Sequence, residues 1–146
     1  RSTREGVRIV QGRVLESARD AADTVEGVIG LGDVQPTAEP GRFVLPFRLG
    51  FRTEELDFER DGERFVASVT LHLVVQTSAG RYITGGYYSM TLGVPAEAGE
   101  LPAAIVSVQG GLEAPVGDYR IVAVVRNPAT GAGGRLTREV AVEPPS

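Results

Sequence analysis

Phe43, Leu45, Phe47, Leu49 and Phe51 alternate without a break with Val44, Pro46, Arg48, Gly50 and Arg52. Only an extended strand with one face in an apolar interior uses such a pattern, because successive side chains of a strand point to opposite sides. A helix would scatter the five large residues around its circumference. Pro46 has no amide hydrogen to give a ladder, so the sequence places this strand at a sheet edge or a bulge rather than at a sheet centre.

Other segments repeat the theme. Leu56 to Glu59, Asp61-Gly62 and the run from Arg64 onward predict a hairpin turning at Asp-Gly. On the returning strand Phe65, Ala67, Val69, Leu71, Leu73 and Val75 face one way, and Val66, Ser68, Thr70, His72, Val74 and Gln76 the other. After Ser78-Ala79-Gly80 the chain carries Arg81 to Thr84, then Gly85-Gly86 as a bulge or bend. Tyr88, Met90, Leu92 and Val94 then share one side, and Tyr87, Ser89 and Thr91 the other. Ala104 to Gln109 reads as a short strand. Tyr119 to Arg126 is rich in β-branched residues, Asn127 to Gly134 reverses the chain, and Arg135 to Val142 returns. About seven strands at these spacings predict a mainly β chain, an antiparallel sandwich. Tyr119, two residues after Gly117 at the entry to a late strand, resembles the tyrosine corner of immunoglobulin-like sandwiches, in which the phenol bonds backbone a few residues upstream.

The amino-terminal third reads differently. Val7, Val10, Val14, Ala18, Ala21, Val25 and Val28 fall three and four apart, which predicts a helix from about Arg13 to Val25, although Val7 to Val10 could equally begin a strand. Residues 1–30 are thus expected to be a helical segment packing on another copy or a neighbouring domain. Residues 31–41 are the connector, and residues 42–146 the sandwich.

Composition narrows the functions. The chain has 146 residues, enough for one domain with a proper core, and no cysteine for disulfides or thiolate metal sites. All fifteen basic residues are Arg, and a net charge of −4 with no basic cluster argues against nucleic acid. No apolar run approaches the length of a membrane span, so no membrane insertion is expected. Arg1 in place of Met, and the ending Glu143-Pro144-Pro145-Ser146, read as a piece of a larger protein.

The segment Leu56 to Val69, with Ser78-Ala79-Gly80-Arg81 after it, resembles part of the carboxy-terminal β domains of bacterial von Willebrand factor A-related proteins. The resemblance implies a companion module beside a metal-binding α/β domain, in an exported and hence extracytoplasmic protein. The Asp-x-Ser-x-Ser adhesion motif of that α/β domain is absent here, so none of its ligand residues is carried over.

Three constellations invite chemistry. His72 is the one imidazole, and its strand face offers Ser68, Thr70 and Gln76 but no carboxylate to orient the ring, so no catalytic residue is assigned. Asp57 to Gly62 mimics the opening of a calcium loop, yet the position that should hold a bidentate Glu is Ser68, so no metal and no cofactor are assigned. Tyr82, Tyr87 and Tyr88 beside Gly85-Gly86 are the candidate binding residues, an aromatic platform for a protein partner or a sugar ring. The sequence therefore predicts a non-catalytic structural or protein-interaction module, with a small glycan- or calcium-binding module as the alternative; oligomerisation stays open.

Overall fold

The computed structural model describes residues 7–20 and 29–145, with residues 11–20 described by their backbone alone. The strands, in chain order, are β1 (Arg8–Asp20), β2 (Ile29–Leu31), β3 (Gln35–Pro36), β4 (Arg42–Arg52), β5 (Glu59–Asp61), β6 (Arg64–Thr77), β7 (Tyr82–Pro95), β8 (Ala104–Pro115), β9 (Gly117–Arg126) and β10 (Gly133–Val142). They form two sheets in which every pairing is antiparallel. The first sheet runs β1, β8, β4, with the short β2 and β3 sharing the far side of β4. The second runs β10, β9, β6, β7, and β5 continues the β9 side of β6. The chain is mainly β and sandwich-like.

The alternating residues do what their period demands. Leu45, Phe47, Leu49 and Phe51 of β4 are buried with Val106, Leu112 and Ala114 of β8, and they belong to one core with Ala67, Val69, Leu71, Leu73 and Val75 of β6 and Ile121, Ala123 and Val125 of β9. Phe47 lies opposite Gly110, where a Cβ would stand 2.9 Å from its Cζ. The glycine therefore leaves room for the ring to cross β8.

β4 is not an edge strand, contrary to the reading of Pro46. The carbonyl of Pro46 accepts from the Gly32 amide at 2.9 Å, between the residues that β2 and β3 pair with β4. An antiparallel residue directs its amide and carbonyl to the same neighbour, so the missing donor faces the gap where the flanking strand is interrupted. No ladder bond is lost there. Gly85-Gly86 likewise makes no break: β7 runs straight through, and the one register shift of this pair lies between Val75 and Gln76.

The helix expected over residues 13–25 is not formed. Residues 8–20 are β1, paired with β8, and residues 21–28 lie outside the described residues. Val7, buried, and Ile9 turn to the core while Arg8 and Val10 face out, the alternation of a strand. A register shift between Gln11 and Val14 then adds a residue to β1, and another follows between Ser17 and Asp20. Such bulges break the period of two and counterfeit spacings of three and four. Gly6 and Gly12 lower helix propensity, and β8 offers an otherwise open edge to pair with. The first clear cross-strand contact is ionic: Glu113 on β8 accepts from Arg8 on β1 at 3.0 Å and from Arg42 on β4 at 2.9 Å, tying three strands together.

Two polar anchors fix the crossings between sheets. Tyr119 Oη donates to the Pro115 carbonyl at 2.9 Å, and its ring lies over Gly117, where a Cβ would be 3.1 Å from the hydroxyl. At the other end Asn127 is buried; its Nδ2 donates to the Leu56 carbonyl at 2.9 Å and its Oδ1 accepts from the Ala129 amide at 3.0 Å. That single side chain pins the β9–β10 loop to the chain passing from β4 to β5.

Tyr119→Phe is expected to cost about 1–3 kcal/mol, the lost bond plus a stranded acceptor, measured by urea melts. Burial raises the phenol above its ordinary 10.0, so the unfolded chain ionises first and this stabilisation fades as pH climbs past that value. The gap between wild type and variant should therefore narrow in alkali. Glu113 behaves oppositely. Its hydrogen bond from Arg42, reinforced by Arg8 and opposed by burial, holds its carboxyl below the usual 4.5, so its contribution is complete above that pH and is lost as pH falls through the lowered value. Glu113→Gln should destabilise by about 1 kcal/mol at neutral pH and by nothing measurable near pH 2.

Candidate functional site: the outer face of the second sheet

β6, β7, β9 and β10 turn one face to the core and the other to solvent, and their register arranges the outward residues in rows. Tyr87, His72, Val124 and Arg135 stand opposite one another across β7, β6, β9 and β10. Two residues further along the strands, Gly85, Val74, Val122 and Thr137 form a second row, and Tyr82, Gln76, Arg120 and Glu139 a third. Tyr87 is 69% exposed, Tyr82 53% and Val124 37%.

The two tyrosines flank Gly85. A Cβ on that glycine would be 3.2 Å from Tyr82 Oη and 2.8 Å from the Leu73 carbonyl, so the bare backbone lets the Tyr82 ring lie along the strand. Tyr87 meets His72 edge to face, with ring centroids 5.7 Å apart at 61°. The favoured geometry of such pairs is of this tilted kind. Arg120, in the Tyr82 row, is engaged by an ion pair with Glu139 and a 3.2 Å bond to the Ser78 carbonyl. The exposed rings thus stand on paired strands, with the charges of the same rows, Arg135, Arg120 and Glu139, carried by β9 and β10.

Beyond the Tyr87 row the same face carries hydroxyls. Ser68 and Thr91 are paired in register and their hydroxyls lie 3.4 Å apart; Thr70 and Ser89 are the next pair. With Pro128 from the β9–β10 loop they line a shallow dish of about 420 Å³.

Tyr88 is not part of this platform. It shares the inner face with Met90 and packs on the core, its ring over Gly86, where a Cβ would be 2.6 Å from its Cζ. Neighbouring residues of a strand point to opposite faces, so Tyr87 and Tyr88 never form one surface. His72 and Val124, which join Tyr87, come from strands whose register the sequence does not specify. In register His72 is flanked by Val124 and Tyr87, neither a carboxylate. Asp57 adopts a left-handed φ of 51°, and Glu59 and Asp61 lie on β5. Among the described residues no three His, Asp or Glu side chains gather as a metal would require, and no helix is long and apolar enough to cross a membrane.

No family model matches the chain, and no curated protein matches it in sequence. Among solved structures, a calcium-binding mutant of Bacteroides uniformis beta-glucuronidase 2 aligns with a TM-score of 0.46 at 9% identity, over 90% of this chain and 14% of that one. Northeast Structural Genomics Consortium target SoR45 aligns with a TM-score of 0.41 at 10% identity, over 96% of this chain and 88% of that one. These are weak likenesses between β folds and say nothing of activity.

The face assignment is open to a direct check. Tyr82→Ala and Tyr87→Ala should each change stability by less than about 0.5 kcal/mol, as exposed positions do, whereas Tyr88→Ala, emptying core space, should cost about 2 kcal/mol or more. Denaturant melts of the three variants measure the contrast.

Proposed function

We propose that this chain is an immunoglobulin-like, non-catalytic interaction module of a larger, exported bacterial protein, and that it meets its partner through the outer face of β6, β7 and β9. The order β2/β3, β4, β8 over β10, β9, β6, β7 follows the A-B-E and G-F-C-C′ arrangement of that fold, with β1 as an added strand beside β8. Tyr119 then stands at the start of strand F, at the E–F corner, where the fold keeps its tyrosine. The resemblance of Leu56 to Val69 to the β domains of von Willebrand factor A-related proteins supports the same placement, as a companion to a domain carrying the metal chemistry.

The observation that carries the interaction reading is the pair of exposed tyrosines, Tyr82 and Tyr87, grouped with His72 and Val124 on one face of a paired sheet. Exposed aromatic residues supply large contact area at little conformational cost and are enriched where proteins meet. The occupant is a neighbouring domain or protein. A small glycan is the second reading, favoured by the hydroxyl dish of Ser68, Thr70, Ser89 and Thr91 beside the Tyr87 ring.

Hydroxyl-radical footprinting of the chain alone and within its full-length protein tests this. Oxidation of Tyr82, Tyr87 and His72 should fall severalfold in the intact protein, while that of Phe43 on the other sheet stays level. Equal oxidation in both settings would remove the interface. Oligosaccharide titrations that shift Ser68 and Thr91 amides, with footprints unchanged, would instead favour the glycan.

A further inference from the structure

A second feature lies inside the molecule, at the seam where β1, an edge of the first sheet, meets β7, an edge of the second. Among the described residues neither strand pairs with the other, so no ladder closes this side of the sandwich. Between them is a cavity of about 110 Å³. Its walls are Phe47 and Leu49 of β4, Leu71 and Leu73 of β6, Met90 of β7 and Val108 of β8. Tyr88, Ser89 and Gln109 are the polar side chains among the described residues that line it, and none of those residues carries a carboxylate or a basic group.

We infer that this cavity is a binding site for a small uncharged molecule about the size of one aromatic ring. Water held in a cavity needs two to four polar partners, and the walls here are mainly Leu, Phe, Val and Met, with Ser89 and Gln109 on the outward parity of their strands and the Tyr88 hydroxyl the one inward polar side-chain group among the described lining residues. Apolar cavities of about 150 Å³ with such walls stay dry and admit benzene or xenon, so the space here is of the right order and excludes any stretch of polypeptide. Atoms lining an empty space lack contacts on one side, and a ligand that fits restores them. Entry follows from the seam: Val10 of β1 stands 37% exposed beside it, and Met90 is a flexible, polarisable side chain on the opposite strand. The site is separate from the tyrosine face, since Tyr87 and Met90 point to opposite sides of β7, and the inference does not rest on the interaction reading.

Benzene titrated into the whole chain, followed by methyl NMR and thermal melts, provides the test, with benzoate as a control of the same ring size carrying a charge. Saturable shifts confined to the methyls of Ile9, Val10, Leu49, Leu71, Leu73, Met90 and Val108, with a melting temperature rising as benzene exceeds its Kd, are the expected result. Benzoate should bind at least about tenfold more weakly, because the walls offer its carboxylate no basic partner. Val108→Phe, which places a ring in the space, should abolish the shifts. If that variant does not fold, Val108→Leu, adding one methylene, decides the matter by weakening benzene severalfold. Shifts that do not saturate or that scatter over the surface, benzoate binding as well as benzene, or full affinity in Val108→Leu would each overturn the site.

Discussion

Burial of one face of β4 and β8 against one face of β6 and β9 is the constraint on which everything else in this molecule depends. Leu49, Leu71, Leu112 and Ile121 are almost wholly withdrawn from water, and each comes from a different one of those four strands. Once their inner faces are committed, the parity of every neighbouring residue is set. Arg48 and Gln109 must face out on one sheet, His72 and Val124 on the other. The surface chemistry of the sandwich is thus a by-product of how its interior is paired.

The same constraint explains which parts were legible in the sequence. β4, β6 and β9 show an unbroken alternation or a β-branched run, and each was readable without a partner. The corner at Tyr119 was readable because its determinants, Gly117 and Pro115, are local. β1 was not, since its bulges shift the phase of the pattern, and the feature that decides for a strand is the edge of β8, some ninety residues later in the chain. β8 was read too short for a related reason: Gly110 and Gly111 look like a turn until Phe47 is known to lie across the first of them.

The candidate face was half legible. Alternation assigned Tyr87 to one side and Tyr88 to the other, which already forbids a single platform of both. What joins Tyr87 instead is a matter of register between strands: His72 from β6 and Val124 from β9. Register follows from hairpin geometry and from the sum of inner-face contacts, and no short stretch of sequence encodes it. The cavity was invisible for the same reason, because an unfilled space is a property of packing and leaves no mark on any one residue.

The position of β1 sets the mechanical layout of the sandwich. Arg8 pairs with Glu113 near the end of β8, and Val142 pairs with Gly117 at the start of β9, only four residues further along the chain. β1 and β10, one edge strand from each sheet, therefore leave the body at the same end, at diagonally opposite corners. Tension drawn between residues 8 and 142 would load their ladders one hydrogen bond at a time rather than all together in shear. The strands would peel like two zips opened from a common end, at low force, and the Arg8–Glu113–Arg42 cluster sits at the tooth where one of those zips must start.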